Sequence, residues 1–302
     1  MTGTSVLTIA RGRETNLRNV VLGLTRQTRQ PDELVVAAMQ PQPYALPETP
    51  FPVRQIHVAG EELPLAEARN AAVATASGEA FLFVVVDCIP AHDFVADYTA
   101  HLAAQDGLMM GEVMYLPDGA AGPGWTYADF ERLAVKHSDR RGPPEEGTDP
   151  CNDYRCFWSL NFALSRAAFG RSGGFDPRYV GYGGEDTDFG RTVSERGIPI
   201  YWTRGARVYH QYHPHHMPPV HHIRSVIRNA EVFADKWGHH TMEHWLRAFR
   251  LMGLIEKGPD GIRLLREPNE EDRALTGQQA HQPYASSSTV MRQLEALTLA
   301  AQ

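Results

Sequence analysis

Residues 175–189 read FDPRYVGYGGEDTDF, and this stretch places three carboxylates directly behind a glycine-rich turn. The glycines let the backbone adopt conformations that a side chain forbids, and they leave room for a bulky ligand. Glu185, Asp186 and Asp188 then fall in the first turn of a predicted helix, where the helix dipole favours ionised carboxylates. A positioned carboxylate can act as a general base; the structural alternative is a turn before an ordinary acidic helix start.

The composition is that of a globular enzyme. The chain has 302 residues, of which 42% are hydrophobic, enough for one large α/β domain or two smaller ones. Its net charge of −7 argues against a general surface for nucleic acid or anionic membranes. Three cysteines, at 88, 151 and 156, make no disulfide framework and favour a reducing compartment, although Cys151 and Cys156 could pair locally. Without an apolar run of about 18 residues or an N-terminal leader, we expect a cytoplasmic protein.

Strand and helix signals alternate through the first half of the chain. This rhythm predicts βαβ units and a Rossmann-like sheet, on which ligands bind at the carboxyl ends of the strands. The predicted strands are 5–10, 33–39, 53–57 and 81–86, and the predicted helices are 16–28, 65–76 and 92–104. The residues that follow the strands are therefore candidates for a binding site.

Residues 157–191, FWSLNFALSRAAFGRSGGFDPRYVGYGGEDTDFGR, resemble the acceptor-side segment of β-1,4-galactosyltransferases, polypeptide GalNAc-transferases and many bacterial family 2 glycosyltransferases. The resemblance implies the GT-A fold, an α/β architecture with a mixed, mostly parallel sheet flanked by helices. It also implies that Asp186 deprotonates the acceptor hydroxyl. Residues expected to bind acceptor or donor sugar are Glu185, Trp158, Asn161, Gly184 and Tyr182.

The same resemblance places a nucleotide after the first strands. It assigns the nucleoside pocket to Ala10, Arg11, Arg13 and Gln40, although the family usually has an acidic residue near position 40. A solvated turn is the alternative for the two arginines. Within the segment LAEARNAAVATASGEAFLF, which begins at residue 65, Arg69 is expected to hold a ribose, base or phosphate edge. A surface ion pair with Glu67 or Glu62 is its alternative.

Two further stretches resemble the metal-binding positions of these enzymes. In VVVDCIP, Val85 takes the first acidic place of the DxD signature and Asp87 the second, with Val86 between them at the nucleotide. Asp87 could instead cap a helix. His210 fits the histidine of a Val-x-His pattern, so that Asp87 and His210 would hold a divalent ion, with Mn²⁺ favoured over Mg²⁺.

His210 opens a tract that contains six histidines up to residue 222. His213 and His215 are expected to touch the pyrophosphate of the nucleotide. The alternative is a solvent-exposed loop that binds metals adventitiously. A zinc hydrolase is disfavoured because the H-E-x-x-H spacing and cysteine pairs are absent from the sequence.

The predicted domains are a GT-A domain over 1–240, with a nucleotide half at 1–115 and an acceptor and metal half at 156–222, and a helical C-terminal extension over 241–302. Between the halves, a stretch rich in Gly and Pro is expected to be a lid or a disordered excursion. Its Trp125 and Tyr127 could stack on a sugar or form a small satellite core. The extension has helical spacing at 223–237 and 242–253, a hairpin around residues 259–261, a Ser-rich piece at 285–289 and a short helix at 290–299.

The sequence thus predicts an inverting, hexosyltransferase-type enzyme that moves a sugar from a nucleotide-sugar, with UDP favoured, to a glycan or small-molecule hydroxyl. A homodimer is compatible with this prediction. A degenerate sugar-nucleotide or glycan-binding module of the same fold is the main alternative, motivated by Val85. A nucleotidyltransferase would need a glycine-rich phosphate loop after the first strand, which Arg11-Gly12-Arg13 does not supply.

Overall fold

A computed structural model describes residues 3–259, 261–277, 282–284 and 286–300. The chain divides into two units. The first comprises residues 1–177 and 185–212, and the second comprises residues 178–184 and 213–302. The division therefore runs at residue 212, whereas the sequence analysis placed a boundary at 240. The two units are described separately below.

The first unit is built on a large mixed sheet. Its strands are β1 (Thr4–Ala10), β2 (Glu33–Ala38), β3 (Val53–His57), β4 (Ala80–Val84), β6 (Leu108–Met110), β9 (Thr148–Pro150), β10 (Asn161–Ser165) and β11 (Ile200–Thr203). Their order is β3-β2-β1-β4-β10-β6-β11-β9. Strands β3, β2, β1 and β4 are parallel neighbours, and β10 lies antiparallel between β4 and β6.

The buried strands explain why the sequence reads as continuous apolar runs. Every residue of β1, β2 and β4 is buried, as expected for strands with both faces covered. The helices of this unit are α1 (Glu14–Thr25), α2 (Leu65–Thr75), α3 (Phe94–Ala104), α4 (Tyr127–Leu133), α5 (Arg166–Ser172) and α6 (Glu185–Glu195). The four predicted strands and three predicted helices of the first half are confirmed, except that β4 ends at Val84 before a turn.

A smaller sheet follows the turn after β4. It has the order β5-β12-β7-β8, formed by β5 (Cys88–Pro90), β12 (Val208–His210), β7 (Val113–Tyr115) and β8 (Val135–Lys136). The antiparallel pairing of β5 with β12 brings two distant parts of the chain side by side. Within the stretch between the predicted halves, Trp125, Tyr127 and Phe130 form a satellite core with Ile89, Leu116 and Tyr209.

The second unit is mainly helical. It contains α7 (Ile223–Trp237), α8 (Glu243–Leu251), the hairpin of β13 (Ile255–Gly258) and β14 (Gly261–Leu264), α9 (Glu270–Thr276) and α10 (Ser287–Ala300). The predicted helices and hairpin are present, while residue 260 of the predicted turn and residue 285 of the Ser-rich piece lie outside the described residues. In the described part of the chain, no helix is both long and apolar enough to cross a membrane.

One buried carboxylate ties the four parallel strands together at their amino ends. Glu33, which opens β2, accepts hydrogen bonds from Ser5 Oγ of β1 at 2.6 Å and from Ser77 N and Oγ at 2.6 and 2.8 Å. Arg54 of β3 completes the set. Burial alone would raise the pKa of Glu33, but these donors outweigh it and lower the pKa to about 2. Glu33 therefore stabilises the sheet as a carboxylate.

Replacing Glu33 by glutamine should lower the free energy of unfolding at pH 7 by about 2 kcal/mol, because the donors lose a charged acceptor. The pKa of Glu33 is lower in the folded protein than its ordinary value of 4.5, so its contribution is complete above pH 4.5 and disappears as the pH falls towards 2. Urea unfolding at pH 7 and pH 3 measures both effects. Glu79→Gln, at a half-exposed position, is the control; equal losses in both variants would contradict the assignment.

Candidate active site

A buried arginine organises the start of helix α6. Arg69, on α2, is 5% exposed and donates from Nη1 to Glu185 Oε1 at 3.2 Å and from Nη2 to Ser159 Oγ at 2.7 Å. Its guanidinium also lies 5.0 Å from the ring centre of Phe175. Neither Glu67 nor Glu62 is its partner in these contacts. One side chain thus joins α2 to the segment before β10 and to the first residue of α6.

The neighbouring residue on α2 fixes the same region through the backbone. Asn70 donates from Nδ2 to the carbonyl of Phe175 at 2.7 Å and accepts from the Phe175 N–H at 2.9 Å. These two hydrogen bonds fix the position of the Phe175 backbone relative to α2. The Arg-Asn pair of α2 therefore positions the chain that leads into the acidic turn.

Asp186 lies in the first turn of α6, beside this ion pair. Its carboxylate accepts from the Thr187 N–H at 2.7 Å and from the backbone N–H of Ser159. Desolvation and the charge of Glu185 raise its pKa to about 6, and Arg69 opposes that rise. Asp186 is consequently ionised at neutral pH but is a stronger base than an ordinary aspartate.

The glycine turn that precedes α6 belongs to the second unit. Gly181, Gly183 and Gly184 have φ values of +81°, +95° and +88°, so the left-handed backbone predicted for this turn is present. A Cβ on Gly183 would lie 2.8 Å from the Met242 sulfur. Any side chain at this position would therefore be both strained and obstructed.

An aromatic stack in the second unit contains Tyr182. The Tyr182 ring stacks on His222 at 4.8 Å and on Trp245 at 5.9 Å between ring centres. Its backbone N–H donates to Ser225 Oγ at 3.1 Å. Tyr182 is thus held within an aromatic stack, and its predicted contact with a sugar stays a prediction.

The loops after β1, β2 and β4 meet in the first unit. Asp87 Oδ1 accepts from Arg13 Nη1 at 2.9 Å and from Asn16 Nδ2 at 2.7 Å. The Gly12 N–H donates to Gln40 Oε1 at 2.8 Å, which joins the first loop to the second. Of the other predicted nucleotide residues, Ala10 and Val86 are buried at the loop bases, and Arg11 is exposed and donates to the Glu61 carbonyl.

His210 lies next to this cluster because β12 pairs with β5. His210 is opposite Cys88 in that pairing, and the following residue, Gln211, donates its N–H to the Asp87 carbonyl at 2.7 Å. One carboxylate and one imidazole suit a divalent ion whose other ligands are phosphate oxygens and water. Among the described residues, however, no group of three His, Cys, Asp or Glu side chains is arranged to hold a metal. The part of the chain that the structure describes therefore supplies at most a two-residue anchor here.

A row of ring contacts connects His210 with the region of Asp186. The His210 ring stacks on Tyr115 at 4.9 Å, Tyr115 lies 5.4 Å from His137, and His137 lies edge-on to Trp158 at 5.3 Å. Trp158 precedes Ser159, whose N–H binds Asp186. Both candidate groups therefore belong to one continuous set of contacts within the first unit.

Three predicted residues have other surroundings. Asn161 is 1% exposed, accepts from the Tyr98 hydroxyl, and donates both N–H bonds to the carbonyls of Glu112 and Ala206, which uses its hydrogen-bonding capacity inside the protein. His213 and His215 lie in the second unit, where their rings are 5.5 Å apart. Their predicted contact with a pyrophosphate stays a prediction.

The sequence analysis missed three residues that hold this site together. Ser159 binds Arg69 and Asp186, Asn16 binds Asp87, and Asn70 binds Phe175. Small polar residues of these types occur throughout the chain, and their partners are distant in sequence. Only Asn70 carried a local signal, since it follows Arg69 directly in the segment that the sequence resemblance identified.

Replacing Arg69 by methionine should lower the free energy of unfolding by about 3 kcal/mol, because Glu185 would remain buried without its cation. The double variant Arg69→Met/Glu185→Gln should lose less unfolding free energy than Arg69→Met, since no uncompensated charge remains. Urea unfolding of both measures the coupling. Arg132→Met is the control, because Arg132 forms an exposed ion pair with Asp129. This substitution should lower the free energy of unfolding by less than about 0.5 kcal/mol. If Arg69→Met is as stable as this control, the Arg69–Glu185 pair does not organise the site.

Comparison with known proteins agrees with the sequence resemblance. Residues 146–216 match the family model described as the N-terminal domain of galactosyltransferase. Over 80 residues the chain is 35% identical to the validoxylamine A glucosyltransferases of Streptomyces hygroscopicus subsp. jinggangensis (strain 5008) and subsp. limoneus. These alignments cover 26% of this chain and 18% and 17% of the two relatives, so they span less than a fifth of each relative.

Two solved structures resemble the chain over most of its length. S. aureus TarS 1-349 in complex with UDP-GlcNAc has a TM-score of 0.54 at 14% identity, covering 92% of this chain and 71% of that one. GalNAc-T7 with UDP, GalNAc and Mn²⁺ has a TM-score of 0.56 at 15% identity, covering 98% of this chain and 57% of that one. At these low sequence identities, the structural similarity shows the fold alone. The chain therefore has the GT-A-like α/β fold of these glycosyltransferases, and its residues 146–216 are similar to the galactosyltransferase segment.

Proposed function

We propose that this protein is a glycosyltransferase that moves a sugar from a nucleotide-sugar, with a UDP-sugar as the favoured donor, to an acceptor hydroxyl. The observation that carries the proposal is Asp186, a carboxylate with a pKa raised to about 6 at the start of α6, held by Ser159 and Thr187. The matched segment at 146–216 contains this residue, and similar structures were solved with UDP or a UDP-sugar.

The reaction is a single displacement with inversion. Asp186 accepts the proton of the acceptor hydroxyl as its oxygen bonds to the anomeric carbon, while the bond from that carbon to the diphosphate breaks and its electron pair leaves with the nucleotide. The raised pKa matters because a base works best when its pKa is near the working pH. Glu185 is held by Arg69, and in this proposal it would bind a sugar hydroxyl rather than take the proton.

The donor lies over the loops that follow β1, β2 and β4. Arg13 and Asn16 present cationic and amide donors beside Asp87, and Gln40 closes the first loop through Gly12. Asp87 and His210 would hold a divalent ion, Mn²⁺ favoured, and the bound ion would supply positive charge for the diphosphate. Because only these two of the described side chains are assigned to the ion, phosphate oxygens and water would complete its ligands.

Mn²⁺ should therefore raise the melting temperature clearly when UDP is present and little when it is absent. Thermal denaturation with Mn²⁺ alone, UDP alone and both together measures this coupling. His210→Ala should lose the added shift. His239→Ala is the matched control, since His239 lies in the second unit, where it contacts His240 and Phe233, and has no part in the proposed donor site. An equally large rise in melting temperature with Mn²⁺ alone would contradict this, because it would indicate a metal site formed by protein ligands without the phosphates.

Asp186→Asn should lower turnover by about 10³-fold or more while leaving nucleotide affinity unchanged, because the amide cannot accept the proton. Screening UDP-, GDP- and dTDP-sugars by calorimetry identifies the donor, and release of nucleoside diphosphate then measures turnover. Asp188→Asn, two positions further along α6 and 1% exposed, tests whether any acid at the helix start matters. Unchanged turnover in Asp186→Asn would show that Asp186 is not the general base.

The pH dependence of kcat/KM should show the same group. Asp186 must be ionised to act, so kcat/KM should fall tenfold per pH unit below a pKa of about 6. The pKa of Asp186 is raised on folding, so wild-type stability should decrease as the pH rises from about 4 to about 6 and then level off. Asp186→Asn should remove this slope, and thermal denaturation across that range checks it. A slope that persists in the variant would assign the titration to another group.

A second candidate is a non-catalytic module that binds a sugar nucleotide or glycan. It is favoured by Val85 in the first acidic position of the DxD pattern and by the engagement of Asp87 with Arg13 and Asn16. An active enzyme should slowly hydrolyse its donor and release nucleoside diphosphate, whereas a binding module should bind the same donor without releasing any.

A further inference from the structure

Arg140 is a buried arginine that the proposed reaction does not use. It lies in the segment that follows β8 and is 7% exposed. Its guanidinium is 4.9 Å from the ring centre of Trp158 and 5.1 Å from that of Trp202. The two indoles hold the planar cation in place, but neither offers an oxygen that can accept its hydrogen bonds.

No anion of the described protein balances this charge. The Nη1 atom of Arg140 is buried without a hydrogen-bond partner, and no carboxylate is among the groups that act on the guanidinium. The groups that face it are Tyr98, Tyr115, Cys88 and Cys156. Burial raises the pKa values of Tyr98, Cys88 and Cys156, so these three remain neutral at pH 7.

An unbalanced buried guanidinium is costly, because arginine cannot lose its proton under ordinary conditions. Cation–π contacts compensate for only part of the lost hydration. Arg132, Arg141 and Arg155 all have carboxylate partners near the surface, so the lack of one at a buried position is exceptional among its neighbours. The missing component is a negatively charged group with oxygen acceptors.

A shallow recess beside Arg140 opens to solvent. Its wall includes residues 110–113, Lys136, Arg140 and Trp202. Glu112 is the acid in this wall, and its carboxylate is paired with Arg207. Lys136, which donates to the Arg141 carbonyl, adds a second positive charge. The recess therefore carries an excess of positive charge.

We propose that this recess binds a small oxyanion, a phosphate or carboxylate group, with Arg140 as its principal cation and Lys136 as the second. A guanidinium suits this ligand because its fork of N–H donors matches the spacing of carboxylate and phosphate oxygens. The anion is either a free ion or a substituent of a sugar. Because Trp158 touches Arg140 and precedes Ser159, a bound anion would order the chain next to Asp186. The site is separate from the proposed base, and anion binding can be measured without any sugar transfer. The outcome of the test therefore does not depend on the proposed function.

The test is a titration of the protein with inorganic phosphate at constant ionic strength, followed by tryptophan fluorescence, since Trp158 and Trp202 flank the site. Glucose 6-phosphate and glucose are titrated in parallel. We expect a saturable change with phosphate if the ligand is a free ion, or with glucose 6-phosphate alone if it is a sugar substituent, and no change with glucose. A wild-type protein that responds to neither anion would overturn the proposal.

Variants then assign the response to Arg140. Arg140→Met keeps an apolar stem between the indoles and should abolish the response, while Arg140→Lys should weaken it about tenfold. Arg141→Gln, at the adjacent exposed position, should respond like wild type. In chloride buffer Arg140→Met should melt at or above the wild-type temperature, since it removes an unbalanced charge. An anion concentration of a hundred times the Kd should raise the melting temperature by about 5 °C, and only in the proteins that retain Arg140. An anion response retained in Arg140→Met would refute the assignment, and Arg140→Lys with the wild-type titration decides the case if Arg140→Met does not fold.

Discussion

The buried pair of Arg69 and Glu185 is the constraint on which the candidate active site depends. It joins residues 116 positions apart and places Asp186 beside it at the start of α6. The same pair controls the charge of Asp186, because Glu185 raises its pKa and Arg69 lowers it. Two adjacent carboxylates without this cation would repel each other more strongly and would hold a proton more tightly. The arginine therefore sets both the position of the proposed base and the pH at which it is ionised.

Two carboxylates in the first unit show how hydrogen-bond donors distinguish a structural acid from a proposed base. Glu33 receives bonds from Ser5, Ser77 and Arg54, and its pKa falls to about 2 despite burial. Asp186 receives two backbone N–H bonds and faces another carboxylate, and its pKa rises to about 6. Glu33 is thus stabilised as an anion throughout the physiological range. Asp186 has less compensation for burial, and it retains the affinity for a proton that a general base needs.

Most of the α/β architecture could be predicted from the sequence, because local patterns determine it. Continuous apolar runs marked β1, β2 and β4, and helical spacing marked α7 with its observed ends. The antiparallel insertion of β10 and the pairing of β5 with β12 could not be predicted from these patterns, since they depend on contacts between distant segments. The same limit applies to the site. The glycine turn and its acids were visible in the sequence, but the partners of Arg69 and the isolation of Arg140 arise only from tertiary packing.

The balance of charge around Asp87 connects the unusual Val85 with the proposed donor site. In the described structure the Asp87 carboxylate is already bonded to Arg13 and Asn16, so its charge is compensated without a ligand. A diphosphate entering this region brings more negative charge, and a second carboxylate at position 85 would add to the repulsion. Valine at that position avoids this cost and leaves Arg13, which is 36% exposed, able to turn from the carboxylate towards a phosphate. In the proposed donor site, Arg13 would therefore offer the diphosphate a cation in addition to any ion that Asp87 and His210 would anchor.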